Sequence, residues 1–164
     1  MTILRLLPDN PGSWGFYEVF EKRVRAFLAE YLPETNAVRA IQDLREKWIK
    51  TPLLTGYFLV TDDSGIFGHL VSYMADNYGS PYVKFDQIQM EQSPYALQAI
   101  REVGEHLRAW MAAYNKILEA AHRPERVTSG ESYSWIDPEI YVRLFRSAGF
   151  EIKGERHVFR WGIK

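Results

Sequence analysis

Cysteine is absent from the 164 residues, and disulfides, thiolate metal sites, iron–sulfur clusters and cysteine nucleophiles go with it. The lack fits a reducing cytoplasm. A surplus of either charge is also missing. Twenty Lys and Arg stand against 21 Asp and Glu, a formal net charge of -1, so a general nucleic-acid binder would lack its electrostatic footprint. No apolar run approaches the roughly 20 residues of a membrane helix. The start Met1-Thr2-Ile3-Leu4-Arg5-Leu6-Leu7-Pro8 has neither a basic leader nor a long apolar stretch, and a soluble, cytoplasmic protein without a membrane partner is expected. Gly-x-Ser-x-Gly, Gly-x-Gly-x-x-Gly and phosphate-loop patterns do not occur, which removes support for a serine hydrolase or a nucleotide-binding fold. His69, His106, His122 and His157 form no close pair, so no metal site is expected. His106 reads as a surface residue and His69 as a structural one.

What the chain does have is rings. Five Trp, ten Tyr and nine Phe make 15% of the residues, enough to fill a core and leave several for a binding surface. The length suits one domain, 1–164, and the 46% hydrophobic and 25% charged shares are those of a globular protein.

Periodicity then gives the order of elements. Ile3 to Leu7 reads as a strand ended by Pro8. Tyr17, Phe20, Val24, Phe27, Leu28 and Tyr31 fall at a period near 3.6, which predicts an amphipathic helix ended by Pro33. A second helix carries Val38, Ile41, Leu44 and Trp48 inward, up to Pro52. Leu54 to Thr61 and Phe67 to Ala75 are β-branched and aromatic, joined by Asp62-Asp63-Ser64-Gly65, and Tyr82 to Met90 adds a third strand. Ser93-Pro94 reads as the N-cap and first residue of a long helix with Leu97, Ile100, Val103, Leu107, Trp110, Met111, Tyr114 and Leu118 on one face. Val127 to Ser134 is a weak strand signal. Asp137-Pro138 opens a short helix stopped by Gly149, and a hairpin from Phe150 to Ile163, turning at Gly154-Glu155, ends the chain. This order predicts an α/β fold with helices on both faces of a sheet.

Two segments carry a resemblance. Phe58-Leu59-Val60-Thr61-Asp62-Asp63-Ser64-Gly65-Ile66-Phe67-Gly68 is similar to the hairpin of the GNAT superfamily of N-acetyltransferases, and Leu144-Phe145-Arg146-Ser147-Ala148-Gly149-Phe150-Glu151 resembles that family's "helix, then Gly-Phe" segment. The resemblance covers essentially the whole chain. It implies a single GNAT-like domain with a mixed, mostly antiparallel sheet, and acetyl-CoA as co-substrate. Its pantetheine would lie where the fourth and fifth strands splay, and its pyrophosphate on the loop before the long helix. The implied cofactor-binding residues are Met90, Gln92, Ser93, Tyr95, Ala96 and Leu97. Tyr95 and Leu97 stand where the family has small residues, and Pro94 lacks an N–H. Phe145 stands where the family often has the tyrosine that protonates the leaving thiolate. Tyr141, one turn earlier, is the substitute candidate, against a plain core role.

Direct acyl transfer needs a base for the amine. Lys84-Phe85-Asp86-Gln87-Ile88-Gln89-Met90-Glu91 is unusually polar for a central strand and reads as polar on both faces. Glu91 is the first candidate base and Asp86 the second, with a structural polar network as the alternative. Tyr73, Tyr133 and Trp135, rings beside small polar residues, are candidate substrate contacts, with Trp135 equally readable as a hydrophobic staple. Two functions remain. One is an acyl-CoA-dependent N-acetyltransferase acting on a small-molecule amine or a protein amino group, with a homodimer left open. The other is a catalytically inactive GNAT-like binding or assembly module that has lost acetyl-CoA binding.

Overall fold

The computed structural model describes residues 2–77, 79–91, 93–133, 138–155 and 158–163. Strand β1 (Thr2–Arg5) leads into two 17-residue helices, α1 (Ser13–Ala29) and α2 (Glu34–Lys50). A 3-10 turn at Pro52–Leu54 feeds the meander β2 (Thr55–Asp62), β3 (Gly65–Asn77) and β4 (Ser80–Met90). Helix α3 (Ala96–Ala120) follows, then β5 (Gly130–Tyr133), α4 (Pro138–Ser147), β6 (Phe150–Glu155) and β7 (Val158–Ile163). Among the described residues the strands form one seven-stranded sheet in the order β1-β2-β3-β4-β5-β7-β6. Only the β4–β5 pair is parallel.

Two cores sandwich this sheet, as the alternation of strand side chains requires. On one face Tyr17, Phe20 and Val24 of α1 and Ile41, Leu44 and Trp48 of α2 cover Tyr57, Leu59 and Val71. Tyr17 stacks on Trp48 at 4.1 Å and Phe20 on Tyr57 at 5.0 Å, while Trp48 donates its indole N–H to the Leu6 carbonyl at 2.8 Å. On the other face Ile100, Val103, Leu107 and Trp110 of α3 and Phe145 of α4 pack on Phe58, Leu70, Val83 and Phe85. Here Gly56 is required by a close approach. A Cβ on it would stand 2.6 Å from the Trp110 ring and 2.5 Å from the Ser72 hydroxyl. Gly149 has φ of +97° just past α4, the left-handed conformation that lets a chain turn out of a helix.

Several expected boundaries move for identifiable reasons. Helix α3 begins at Ala96, three residues later than Ser93, because the Ser93 hydroxyl accepts the Tyr95 N–H at 3.2 Å and its carbonyl accepts the Ala96 N–H at 3.3 Å. A turn therefore precedes the helix. The strand signal from Val127 shortens to Gly130–Tyr133, since the Asn115 side chain takes both backbone groups of Val127, at 2.6 and 3.0 Å. Ala37 replaces Val38 on the buried face of α2, and Tyr31 is exposed beyond the end of α1. His106 is half-buried, its ring edge-on to Phe58 at 5.8 Å, rather than on the open surface. Asp137 lies outside the described residues.

Candidate functional site

Strand β4 is where the chemistry converges, and a bulge shapes it. Val71 pairs with Gln87 and the next residue, Ser72, pairs with Phe85, so Asp86 has no partner on β3. An extra residue on one strand shifts its alternation by one place. Before the bulge the apolar side chains facing α3 are Val83 and Phe85; after it they are Ile88 and Met90. The polar residues consequently do not occupy both faces, as the sequence suggested. Lys84, Asp86 and Gln87 line the α1–α2 side, and Gln89 pairs there with His69.

At the same residue the sheet opens. Strand β5 pairs with β4 over Val83–Phe85 alone, and among the described residues no strand is paired with that side of β4 from Asp86 to Met90. Backbone left open beside a bulge can receive the amides of an extended ligand.

A pocket of about 380 Å³ lies against the bulge on the α1–α2 side. Asp43 and Lys47 of α2, Tyr73 of β3 and Lys84, Asp86 and Gln87 of β4 are among its walls. Lys47 pairs with Asp43 at 2.9 Å and Lys84 with Asp86 at 3.7 Å. Lys47 Nζ also stands 4.6 Å from the centre of the Tyr73 ring, a cation–π contact. The hydroxyls of Tyr57 and Tyr73 are 3.3 Å apart, and Tyr57 donates to the Leu44 carbonyl at 2.9 Å. A phenol has one proton, so Tyr73 is the donor of this pair. Burial pushes both phenols well above their ordinary range.

The base candidates are in different settings. Asp86 is in the pocket, whereas Glu91 accepts a hydrogen bond from Arg23 of α1 at 2.8 Å and is 57% exposed. Between them His69 is buried, with Nε2 3.2 Å from Gln87 Oε1 and Nδ1 without a partner among the described residues. Burial first, then the charge of Arg23, lowers its pKa to about 4 against the pull of Gln87 and Glu91, so the ring is neutral at pH 7.

The loop ahead of α3 is built differently from an anion cradle. The N–H groups of Tyr95 and Ala96 are both taken up by Ser93, and Pro94 has none. The Ser93 hydroxyl in turn donates to Asp62 at 3.2 Å, and hydrogen bonds from Ser64 hold that carboxyl below its ordinary range. The open edge of β4 thus fits a pantetheine arm, while this loop offers a pyrophosphate few free N–H groups and a neighbouring carboxylate.

Of the remaining candidates, Met90 packs against the α3-side core, Ala96 and Leu97 are half-buried in the first turn of α3, and Tyr95 is exposed. Tyr141 lies in α4, and Tyr133 pairs with Val158 across β5 and β7. Gln92 and Trp135 lie outside the described residues. Asp43, Lys47, Lys84 and Gln87 were missed. The signal for the β4 pair was the jump of the apolar positions from odd to even numbers across Asp86-Gln87; for the α2 pair there was none, because an i,i+4 Asp–Lys pair reads as a solvated helix face.

Among the described residues no group of three or more His, Asp or Glu could hold a metal ion, and no helix is long and apolar enough to cross a membrane. No protein-family model matches the sequence, and no relative is found among curated proteins. Solved structures do match. A spermidine N-acetyltransferase from Vibrio cholerae in complex with CoA and spermine aligns over 99% of this chain and 94% of its own, with a TM-score of 0.56 and 14% identity. AAC(6')-Iy, bound to the bisubstrate analogue CoA-S-monomethyl-acetylneamine, aligns over 94% and 92%, at 0.55 and 16%. An aminoglycoside 6'-acetyltransferase type Ii aligns over 98% and 94%, at 0.53 and 12%. The fold is that of the GNAT acetyltransferases.

Proposed function

We propose that the protein is a GNAT-type N-acyltransferase, which moves an acyl group from acetyl-CoA or a related thioester to the amine of an acceptor in the α2–β4 pocket. The observation that carries this reading is a coincidence at one residue. The bulge at Asp86, the end of β4–β5 pairing at Phe85 and the wall of the pocket all meet there. Donor and acceptor would be held against the same few residues of β4, which is the positioning that a bimolecular transfer needs.

The thioester supplies an activated acyl carbon: the amine nitrogen bonds to it, the C–S bond breaks, and the amine proton must leave. Of the pocket's two carboxylates, Asp86 is the one at the bulge beside the open edge of β4, and it accepts that proton, directly or through a water. Glu91 remains a second acceptor at the end of the strand, engaged with Arg23. Tyr141 of α4 is the candidate donor to the departing thiolate, and the neutral amide of Gln87 can fix the acceptor without competing for its proton. Acceptors named with the aligned structures, spermine and an acetylneamine derivative, carry amines, which supports an amine here. Small-molecule and protein amines are both open.

A second reading has its own observation. The internally bonded loop Ser93-Pro94-Tyr95-Ala96 favours weaker nucleotide binding and so a non-catalytic binding module. One titration separates the two. Under the first reading acetyl-CoA at 100 times its dissociation constant raises the unfolding free energy by roughly 2.7 kcal/mol and Tm by about 5 to 10 °C. No shift in Tm and no heat on titration would leave the second.

A further inference from the structure

The pocket on β4 is charge-balanced: one carboxylate and one ammonium come from α2, and one of each from β4. A polyamine pocket needs a net negative wall. All four groups are partly exposed, so their pairs are weak and a ligand can exchange into them.

The bulge adds a more specific arrangement. It places consecutive residues, Asp86 and Gln87, on the same side of the strand, where ordinary alternation would separate them. Gln87 is 7% exposed, and with the His69 proton on Nε2 that ring donates to Gln87 Oε1. The Gln87 amide nitrogen then has two protons and no partner among the described residues. A buried carboxamide donor and a carboxylate acceptor therefore stand side by side on one wall. An α-amino acid carries the complement, an ammonium and a carboxylate on one carbon.

We propose that the acceptor is a free α-amino acid, its ammonium on Asp86 and its carboxylate on the Gln87 amide and Lys47. This rests on the reading of the pocket as the acceptor site. Val24, Leu28, Leu44 and Leu54 supply apolar wall, which suits an aliphatic or thioether side chain. Lys84 then stays with the wall's own charge balance, and Tyr73, whose proton goes to Tyr57, turns no donor toward the ligand.

Calorimetric titration without any acyl donor tests it, with L-methionine, L-methioninamide and spermidine at the same pH. Methionine should bind at least about ten-fold more tightly than either competitor, as loss of a charge-assisted hydrogen bond implies. Lys47→Met should weaken methionine and not methioninamide, whose net positive charge gains from losing the ammonium, and Asp86→Asn should weaken both; each residue is exposed enough for the variants to fold. Methioninamide or spermidine binding as tightly as methionine overturns the proposal, and so does the absence of heat with all three. If acetyl-CoA binds and methionine does not, the acceptor class falls and the acyltransferase reading stands. If methionine binds and acetyl-CoA does not, the amino-acid site stands without the transferase.

Discussion

His69 sits on β3 with its ring edge-on to Phe20 at 6.0 Å and to Phe27 at 6.3 Å. Its folded pKa of about 4 lies below the 6.5 of an unfolded histidine. Between those values the unfolded chain binds the proton and the folded chain does not. The neutral ring's contribution is therefore complete above pH 6.5 and is lost as the pH falls toward 4, to a total of about 3 kcal/mol. His69→Gln keeps a polar partner for Gln87 and removes the titration. In urea unfolding, the drop in stability from pH 7 to 4.5 should be shallower for this variant than for the wild type; equal slopes would mean that the ring is solvated. Tyr57→Phe removes a phenol that donates to the Leu44 carbonyl and should lower stability by about 1 kcal/mol, measured the same way. At this scale the sequence reading identified His69 as structural, yet the Arg23–Glu91 pair joins residues 68 apart in the chain. Nothing local to Glu91 announces Arg23.

The elements were legible wherever punctuation and period agree. Pro52 and Gly149 follow the ends of α2 and α4, whereas Pro33 caps the start of α2 after α1 has stopped at Ala29, and the three-strand meander follows from its turns. The bulge was not, because register belongs to two strands together and only one pattern of alternation is visible at a time. Its consequence can be tested by face. Ile88 packs on the α3 side and Gln89 pairs with His69 on the other. Ile88→Lys should cost about 2 kcal/mol or more, whereas Gln89→Lys should stay within about 1 kcal/mol. The reverse order, in denaturant midpoints at equal m, would remove the bulge. Gly56→Ala presses a methyl against the Trp110 ring, and a loss of about 1 to 3 kcal/mol is expected in the same measurement.

At the scale of the molecule, β5, β6 and β7 join the meander, among the described residues, through a ladder of three residue pairs, Val83–Phe85 with Gly130–Ser132. The two parts of the sheet should therefore open at different free energies. Native-state hydrogen exchange should find amides of β2 and β3 exchanging with global unfolding and those of β5 to β7 at lower cost. Uniform protection across all seven strands would show a single cooperative unit. The fold class was legible at this scale because the order of strands and helices has few solutions. The pocket was less so. Its walls come from α1, α2, β2, β3 and β4, segments whose meeting depends on tertiary packing rather than on any motif.

The open side of β4 also bears on how the protein behaves among its own copies. Unpaired strand backbone normally invites another chain to add a strand, and exposed sheet edges are a common start of aggregation. From Asp86 to Met90 the open stretch is instead a notch, closed at its lower end where β5 meets Phe85. A foreign strand sliding along β4 would run into β5 within five residues, shorter than the six or seven that a stable cross-β segment requires. Along this notch the backbone stays available to a slender, flexible ligand but is too short for a second molecule's strand to grow on, which leaves the outer strands β1 and β6 as the borders of the sheet.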